Sequence, residues 1–427
     1  MAHTATAPIL LLPSHNVEPE QLVVIANRRD PLSLAIAEYY SARRGIPAEN
    51  LIEVALDPRS ATIDRERFAA IRAEVEQRLP PAARALALAW TRPYRVECMS
   101  ITAAFTFGFD PGWCSQSLCS PTARNPLFGQ RQGAAGADPS VRPAMLLAAT
   151  NLQDAKALID RGIAADGTRP DGTAYLVRTS DRHRNVRAAG YDRTREALGP
   201  YFDMVIEDTD RLPAADGAMF YFTGLTRVPG LDRIGFRPGA MADHLTSFGG
   251  RLPAPEHTDE DAGEAAGRLL SGIARHAVGA DDTGQMSAIE WLRAGATGSY
   301  GTVVEPCNLP GKFPHPGLAM LRYLGGSTLI EAYWSSVAMP GEGVFIGDPL
   351  ASPFGGYRLT SAGGWILVET RVLGRGRYRV EAADDENGPF EDTGLVVEAE
   401  GWPPHFGFPD LGRPVYRLVA LPTEETE

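Results

Sequence analysis

QLVVIANRRDPLSLAIAEYYSARRGIPAENLIEV, from Gln21 to Val54, is the stretch that decides the fold. An apolar run over Leu22–Ala26 comes first, and apolar residues then recur at the spacing of one helical face. Gly45 is expected to end that helix, because glycine adopts the left-handed backbone conformation at low cost. A second apolar run, NLIEV, follows. A strand, a helix and a strand in this order predict a parallel sheet covered by helices.

The alternation of strands and helices continues along the chain. A helix is predicted over 65–79 and a strand over 85–90. An irregular stretch rich in Gly, Ser, Pro and aromatic residues, 91–143, interrupts the pattern, and a loop region of that length is usually functional or disordered. The pattern resumes with a strand and a helix over 143–166, where Asn151 is the predicted N-cap.

The chain is too long for one hydrophobic core. Its pattern of polar and apolar residues also changes towards the C-terminus. It has 427 residues, and from Tyr357 onward runs of alternating polar and apolar residues predict antiparallel strands. We predict an α/β fold with parallel sheets flanked by helices in two subdomains, followed by a small antiparallel β module. The predicted boundaries are 1–165, 166–356 and 357–427.

Composition and charge argue against several classes of function. The chain is 44% hydrophobic and 22% charged, as soluble globular proteins are. Its formal net charge of −12 argues against general binding to nucleic acid or anionic membranes, which requires clustered Lys and Arg. No run of about 18 apolar residues is present, so no membrane span is expected. We expect an extracytoplasmic protein if a signal peptide has been removed, and a cytoplasmic one otherwise.

The four cysteines leave three interpretations open. Cys98, Cys114 and Cys119 lie in or beside the irregular stretch, and Cys307 shares a second loop with His315. Three thiolates and one imidazole form a closed tetrahedral site for zinc or copper. The candidate ligands are Cys114, Cys119, Cys307 and His315. The alternatives are a disulfide between Cys114 and Cys119 in an extracytoplasmic protein, or small buried residues.

Several blocks, in chain order, resemble the gingipain-type cysteine peptidases of the caspase-like clan. AMFYFTG (218–224) occupies the place of the strand that ends in that family's Gly-His-Gly motif. HLTSFGG (244–250) occupies the place of the strand that ends in the nucleophilic cysteine. The segments 143–166, 294–303 and 343–354 are similar to the family's strand-to-helix passage, following strand and Gly-Asp-Pro motif. The resemblance implies a caspase-like fold, a C-terminal immunoglobulin-like module and a peptide or protein as substrate or partner.

The chain also resembles an uncharacterised bacterial family that accompanies exosortase-type protein sorting. The motifs that carry this resemblance are RGIPAENL, TRPYRVECMSIT, GFRPGAMADHLTSFGG, EWLRAGATGSYGTVVEPCN and GDPL. It implies the same fold and allows a sorting-associated binding protein without catalysis.

The departures from the peptidase pattern concern the catalytic pair. Thr223-Gly224-Leu225 stands where the family has its histidine motif, so the catalytic histidine is absent. Ser247 stands at the cysteine position, and Gly250 matches the glycine three residues on. A serine hydroxyl without a base is far too weakly acidic to replace a thiolate. The resemblance therefore implies a divergent member that lacks the Cys–His dyad.

Three functional hypotheses follow. The first is a protein that binds or acts on a peptide or protein, with the Cys/His set as a metal site. The second is a serine hydrolase with Ser247 as nucleophile and His244, or a distant histidine, as base. On a strand, residues three apart point to opposite faces, so Ser247 and His244 would meet only across a sharp turn. The third is a binding protein without catalysis.

The remaining candidate site residues are charged residues near the ends of predicted strands. Glu305 is a candidate acid/base group, because it stands close to a cysteine at the end of a predicted strand. Arg92, Glu97 and Asp243 are candidate binding residues. Asp348, in IGDPL, is interpreted as a turn residue whose side chain bonds nearby backbone amides.

Overall fold

The computed structural model describes residues 8–13, 16–117, 119–130, 138, 140–255, 284–401 and 404–422. These residues form two compact units. The described residues of the larger unit fall within Val17–Tyr323 and Thr328–Pro353, and those of the smaller unit fall within Met1–Asn16, Leu324–Ser327 and Phe354–Glu427.

The secondary structure elements alternate as the sequence predicts. The helices are α1 (Pro31–Arg44), α2 (Arg65–Glu76), α3 (Ile101–Phe107), α4 (Leu152–Ala165), α5 (Tyr191–Leu198), α6 (Ile289–Arg293), α7 (Pro316–Leu324) and α8 (Leu329–Ser336). The strands are β1 (Ile9–Leu11), β2 (Leu22–Asn27), β3 (Leu51–Val54), β4 (Thr62–Ile63), β5 (Ala85–Leu88), β6 (Arg95–Val96), β7 (Met99–Ser100), β8 (Ala144–Leu146), β9 (Thr173–Arg178), β10 (Asp203–Asp208), β11 (Ala215–Thr223), β12 (Ile234–His244), β13 (Gly298–Thr302), β14 (Gly343–Gly347), β15 (Tyr357–Ala362), β16 (Trp365–Thr370), β17 (Gly376–Ala383), β18 (Glu391–Ala399), β19 (His405–Pro409) and β20 (Val415–Ala420).

Local signals in the sequence account for the first helix and its flanking strand. Every residue of β2 is buried, which is typical of a parallel strand covered on both faces. Asp30 caps α1 by accepting a hydrogen bond from the Leu32 N–H at 3.0 Å. Gly45, with φ of +68°, ends the helix in the left-handed conformation. The predicted cap of α4 is also present, since Asn151 accepts from the Asp154 N–H at 2.8 Å.

A ten-stranded sheet forms the framework of the larger unit, in the order β10-β9-β11-β12-β13-β14-β8-β5-β2-β3. Strands β9 to β13 run parallel to one another, and we call them block A. Strands β14, β8, β5, β2 and β3 are also mutually parallel and form block B. The two blocks run in opposite directions, because β13 and β14 pair antiparallel. The carboxyl ends of block A therefore share one sheet edge with the amino ends of block B.

The predicted α/β class, with a parallel-rich sheet flanked by helices and a small antiparallel module, is confirmed. The units are divided differently from the predicted boundaries. The segments 1–165 and 166–356 contribute strands to the same sheet, because β14 pairs with β8 of the first segment and with β13 of the second. Both predicted segments therefore contribute to one continuous sheet.

Asp348, directly after β14, ties block B to the helices. Its carboxylate accepts from the Tyr40 hydroxyl at 2.8 Å and forms an ion pair with Arg44, both on α1. It also accepts from the Leu350 N–H at 3.2 Å, which is the turn role that the sequence predicts. Gly162 on α4 leaves room for it, since a Cβ there would lie 2.0 Å from the carboxylate oxygen. The contacts with α1 are the part that sequence did not reveal.

The smaller unit is a two-sheet β sandwich. One sheet has the order β1-β20-β17-β18 and the other β15-β16-β19. Its core takes apolar side chains from both sheets, including Val368, Tyr378, Val380 and Tyr416. β1 pairs parallel with β20, so an early strand completes the C-terminal module. Because β1 has only three residues, its sequence shows no recognisable strand pattern from which this pairing could be predicted.

Among the residues described above, no helix is both long enough and apolar enough to cross a bilayer.

Candidate functional site

A cleft of about 180 Å³ lies at the carboxyl edge of block A. It collects residues from the segments that follow β9, β12 and β13, because the carboxyl ends of parallel strands meet at the same edge. The residues that line it are His183, Arg184, Leu245, Thr246, Ser247, Glu305, Cys307 and Asn308. The two candidate catalytic residues Ser247 and Glu305 therefore share one cleft, and His183 joins them.

The turn after β12 lines this cleft and is held by hydrogen bonds on both sides. The carbonyls of Thr246 and Ser247 accept from the hydroxyl of Thr302, on β13, at 3.2 and 2.8 Å. On the other side, the N–H groups of Ser247 and Phe248 donate to the Gln285 side-chain oxygen at 3.0 and 3.3 Å. The Thr246 hydroxyl donates to that same oxygen.

Glycines allow the turn to lie directly on the sheet. A Cβ at Gly301, on β13, would lie 2.3 Å from the Gly249 carbonyl carbon. A Cβ at Gly250 would lie 2.4 Å from the Gly301 carbonyl oxygen. Real Cβ atoms do not approach backbone atoms this closely, so any larger residue would lift the turn off β13.

Gly224, at the end of β11, is in equally close contact with the segment after β9. A Cβ at this position would lie 1.9 Å from the Arg184 carbonyl oxygen. Thr223 and His244 are register partners on the neighbouring strands β11 and β12, so Gly224 and Ser247 follow adjacent strand ends. The backbone of Arg184 occupies the space that a side chain at residue 224 would need.

His244 is a buried structural residue rather than a base. Its side chain is 1% exposed, its Nδ1 accepts from the Trp291 Nε1–H at 2.9 Å, and its Nε2 lies 3.1 Å from the Met286 carbonyl. With Nδ1 accepting, Nε2 carries the proton and donates to that carbonyl, so the ring is neutral. Burial lowers the pKa of His244 to about 3. Both nitrogens are engaged, so the proposed pair of His244 with Ser247 is not formed.

Asp243, predicted to bind a ligand, forms a buried ion pair near the end of β12. Its carboxylate is 2.6 Å from the Arg187 guanidinium, and both side chains are almost fully buried. Burial raises the pKa of Asp243, against the opposing effect of the Arg187 charge. Arg187 also donates to the Thr223 and Pro314 carbonyls at 2.7 and 3.2 Å. The pair links four segments, those of Arg187, Asp243, Thr223 and Pro314, so its role is structural.

The predicted cysteine ligands form disulfides. Cys98 pairs with Cys114, and Cys119 pairs with Cys307. Because disulfide sulfurs carry no thiolate, the structure contradicts the Cys/His set for zinc or copper, and it also replaces the Cys114–Cys119 pairing. Among the residues that the structure describes, no group of three or more His, Cys, Asp and Glu side chains is arranged to hold a metal ion.

The Cys119–Cys307 disulfide and a buried ion pair hold the loops beside the cleft. The Lys312 ammonium lies 2.7 Å from the Glu342 carboxylate, and both side chains are essentially inaccessible to solvent. Lys312 also donates to the Ser115 hydroxyl at 2.6 Å, and Glu342 accepts from the Ser115 N–H at 2.7 Å. Cys307 lines the cleft, so these contacts give its wall a defined position.

The remaining predicted residues have local roles. Glu305 accepts from the Cys307 N–H at 2.8 Å and so supports the turn at the cleft rim. His315 accepts from the Leu318 N–H at 3.2 Å at the start of α7, and burial lowers its pKa. Arg92 donates to the Leu252 carbonyl at 3.0 Å, and Glu97 lies 3.6 Å from Arg65. Neither Arg92 nor Glu97 is among the described residues that line the cleft.

Sequence reasoning missed His183, Arg184 and Gln285. The first two follow the predicted strand TAYLVR, and their place at a carboxyl strand end was the available signal. Gln285 had none, because it contacts the turn at residues 246–248 only through the tertiary fold.

Comparisons with known proteins give little further information. No family model matches the chain, and no curated protein matches it. A solved structure titled "Structure of Protease" aligns over 95% of this chain and 96% of its own, with 10% sequence identity and a TM-score of 0.35. That likeness is a distant resemblance, so the assignment of the site depends on the contacts described above.

The disulfides predict the state of the cysteines in the purified protein. Denatured but unreduced protein should show no free thiol in a colorimetric assay, and a non-reducing peptide map should yield Cys98–Cys114 and Cys119–Cys307 as linked peptides. Elemental analysis should find zinc and copper well below one ion per chain. Four free thiols together with one bound metal per chain would restore the metal hypothesis.

The two disulfides are expected to differ in their effect on stability. They span sequence separations of 188 and 16 residues, and a longer closed loop restricts the unfolded chain more. Replacing Cys119 and Cys307 by serine should lower the free energy of unfolding by about 2 kcal/mol more than replacing Cys98 and Cys114. Denaturant unfolding of the two double variants measures this difference, and the opposite order would contradict it.

The buried, neutral His244 predicts a specific pH dependence. The unfolded chain takes up a proton at this residue below about pH 6.5, whereas the folded protein does so only near pH 3. The free energy of unfolding therefore falls, through this residue alone, by about 1.4 kcal/mol per pH unit in that window. His244→Gln should remove this component, so the stability of wild type relative to the variant should shrink as the pH is lowered. A difference that stays constant down to about pH 4 would mean that His244 is protonated in the folded protein.

Proposed function

We propose that this chain is a divergent, gingipain-type, protease-like protein that binds a peptide or protein segment in the block A cleft without a thiol–imidazole dyad. The observation that carries the proposal is the cleft itself, which lies where the resemblance puts the nucleophile and the histidine. Ser247 lines it, and Gly224 follows the neighbouring strand.

The absence of a catalytic histidine is supported by the packing as well as by the sequence. A histidine at residue 224 would need the space that the Arg184 backbone occupies, 1.9 Å from the position of a Cβ. A single substitution could not restore the dyad, because the segment after β9 would have to move. This fits a protein whose cleft serves binding rather than thiol catalysis.

The lining of the cleft has the chemistry that a peptide requires. A bound peptide needs partners for its own N–H and carbonyl groups, since leaving them unpaired costs free energy. The cleft offers the Thr246 and Ser247 hydroxyls, the Asn308 amide, and charged groups of both signs in Arg184 and Glu305. The Cys119–Cys307 disulfide restrains one wall, which lowers the entropy cost of binding.

The disulfides also bear on localisation. Both pairs of cysteines are expected to persist only in an oxidising environment, outside the cytoplasm. An extracytoplasmic, peptide-binding protein agrees with the sorting-associated family that the sequence resembles.

Peptide selection followed by affinity measurement tests the proposal. A random linear peptide library is selected against the full chain, and the enriched peptide is titrated by calorimetry. Asn308→Trp places a large ring at the exposed rim of the cleft and should weaken binding by roughly tenfold or more, about 1.4 kcal/mol. The matched control is Asn387→Trp, at an exposed position of the smaller unit, which should leave the affinity unchanged.

Two outcomes would contradict peptide binding in this cleft. One is a library that yields no binder. The other is a binder whose affinity Asn308→Trp and Asn387→Trp affect equally, since that peptide would bind elsewhere.

A serine hydrolase is the second candidate function, favoured by the presence of His183, Ser247 and Glu305 in one cleft. His183 is exposed and would be the base in place of His244. Within the described part of the chain, however, neither His183 nor Glu305 is hydrogen-bonded to the Ser247 hydroxyl, and reach comes before pKa in such an assignment. Binding without hydrolysis therefore fits the contacts better.

Labelling with a fluorophosphonate probe separates the two functions. The binding proposal expects no labelling of the native protein, because no base activates the Ser247 hydroxyl. A hydrolase would be labelled at Ser247, and the label would be lost in Ser247→Ala, reduced in His183→Gln and retained in Ser361→Ala, an exposed serine of the smaller unit. That pattern would replace the binding proposal with the hydrolase.

A further inference from the structure

The turn at residues 246–248 directs three hydrogen-bond donors at one point. The N–H groups of Ser247 and Phe248 and the hydroxyl of Thr246 all donate to the Gln285 side-chain oxygen. An amide oxygen has two lone pairs, so three donors exceed what a single neutral acceptor normally satisfies. The turn therefore offers more hydrogen-bond donors than the Gln285 oxygen can fully satisfy.

Thr302 determines this orientation of the backbone. Its hydroxyl binds the carbonyls of Thr246 and Ser247, and the N–H that follows each carbonyl in the same peptide plane points the opposite way. Both N–H groups therefore point together towards Gln285. Thr302 is a positioning residue for these donors, which are in place before any ligand arrives.

The Thr246 hydroxyl is oriented by a charged group. The Arg184 Nε–H donates to the Thr246 oxygen at 3.1 Å, so the hydroxyl proton is directed at Gln285. The Arg184 guanidinium is thus separated from the Gln285 oxygen only by the Thr246 hydroxyl. Arg184 is also paired with Asp181 at 2.8 Å, which holds it there.

We propose that the turn at residues 246–248 is a binding site for a carboxylate group and that Gln285 occupies this site as an internal competitor when no ligand is present. The inference rests on the proposed function, because Thr246 and Ser247 also line the peptide cleft and withdrawal of the Gln285 amide would open the site to it. The ligand group is then the C-terminal carboxylate or an acidic side chain of a bound peptide.

A carboxylate fits these donors better than an amide does. Hydrogen bonds to an ionised acceptor are roughly twice as strong as those between neutral groups, and the two oxygens of a carboxylate together accept more of them than one amide oxygen does. A neutral glutamine is thus an adequate but displaceable occupant. Gln285 is 8% exposed, so without its side chain the three donors would be left buried without an acceptor, which costs free energy.

The experiment compares a small carboxylate with its neutral analogue. Propionate and propionamide are titrated into the full chain and followed by the backbone amide NMR signals of Ser247 and Phe248. Gln285→Ala removes the competitor and should bind propionate roughly tenfold or more tightly than wild type, with no such gain for propionamide. Gln130→Ala, at an exposed glutamine, should behave as wild type. Equal propionate affinity in Gln285→Ala and wild type, or no binding to either, would overturn the proposal.

Gln285→Glu gives an independent readout that preserves side-chain size. The introduced carboxylate should be held by the three donors, so the variant should have a higher Tm than wild type at pH 7 and should lose that advantage as the carboxylate is protonated. Its affinity for propionate should fall below that of wild type. A variant less stable than wild type at pH 7 would mean that the site does not favour an anion.

Thr302→Val and Thr302→Ser test the positioning role. Valine keeps the shape but removes the hydroxyl, so in the Gln285→Ala background it should abolish the gain in propionate affinity, whereas serine should retain it. Retention of the gain with valine would contradict the role of Thr302. Failure of the library peptide to bind would overturn the proposed function alone, and failure of propionate to distinguish the Gln285 variants would overturn only the carboxylate site.

Discussion

The antiparallel pairing of β13 with β14 is the constraint on which the rest of the larger unit depends. It joins two parallel blocks that run in opposite directions, through five residue pairs from Gly298–Gly347 to Thr302–Gly343. Close approach is possible because several of these positions are glycines. A Cβ at Gly343 would lie 1.7 Å from the Tyr300 hydroxyl oxygen, and one at Gly298 would lie 2.6 Å from Leu329. The ladder therefore accepts almost no variation in side-chain size.

The same ladder builds the candidate site. β13 presents Gly301 as the surface on which the turn after β12 rests, and it presents Thr302 as the hydroxyl that orients that turn. The outcome is a turn beside the cleft whose Ser247 and Phe248 N–H groups are held in place by neighbouring elements. Such groups bind oxygen acceptors without any titration of their own.

The buried charges around the cleft serve to hold segments rather than to react. Arg187 with Asp243, and Lys312 with Glu342, are removed from solvent and carry further hydrogen bonds to backbone or hydroxyl groups. A buried ion pair of this kind adds little net stability compared with apolar packing, but the loss of one partner is costly. Each pair therefore favours a single arrangement of the loops that it joins.

The cysteines and His244 illustrate where inference from sequence ended. Residue type and loop composition identified Cys114, Cys119 and Cys307 as special, but a metal site and a disulfide require the same residues close together. Only the three-dimensional structure distinguishes a metal site from a disulfide. In it, Cys119 is bonded to Cys307, 188 positions away in the sequence. His244 was recognised as close to Ser247 in sequence, whereas its partners Trp291 and Met286 lie more than 40 positions further along the chain.

The sequence by itself determined the α/β class, the first helix with its end at Gly45, and the antiparallel module, because periodicity and capping depend on residues within a few positions of one another. The peptidase resemblance also puts Gly224 and Ser247 at the positions of the family's histidine and cysteine, because that comparison depends only on which residues stand at two positions. The tertiary structure alone decided that one sheet unites both halves, that β1 completes the C-terminal module, and that Gln285 meets the turn after β12. These contacts join residues far apart in the chain. The energies of such contacts depend on tertiary packing and backbone geometry, which cannot be predicted from local sequence patterns.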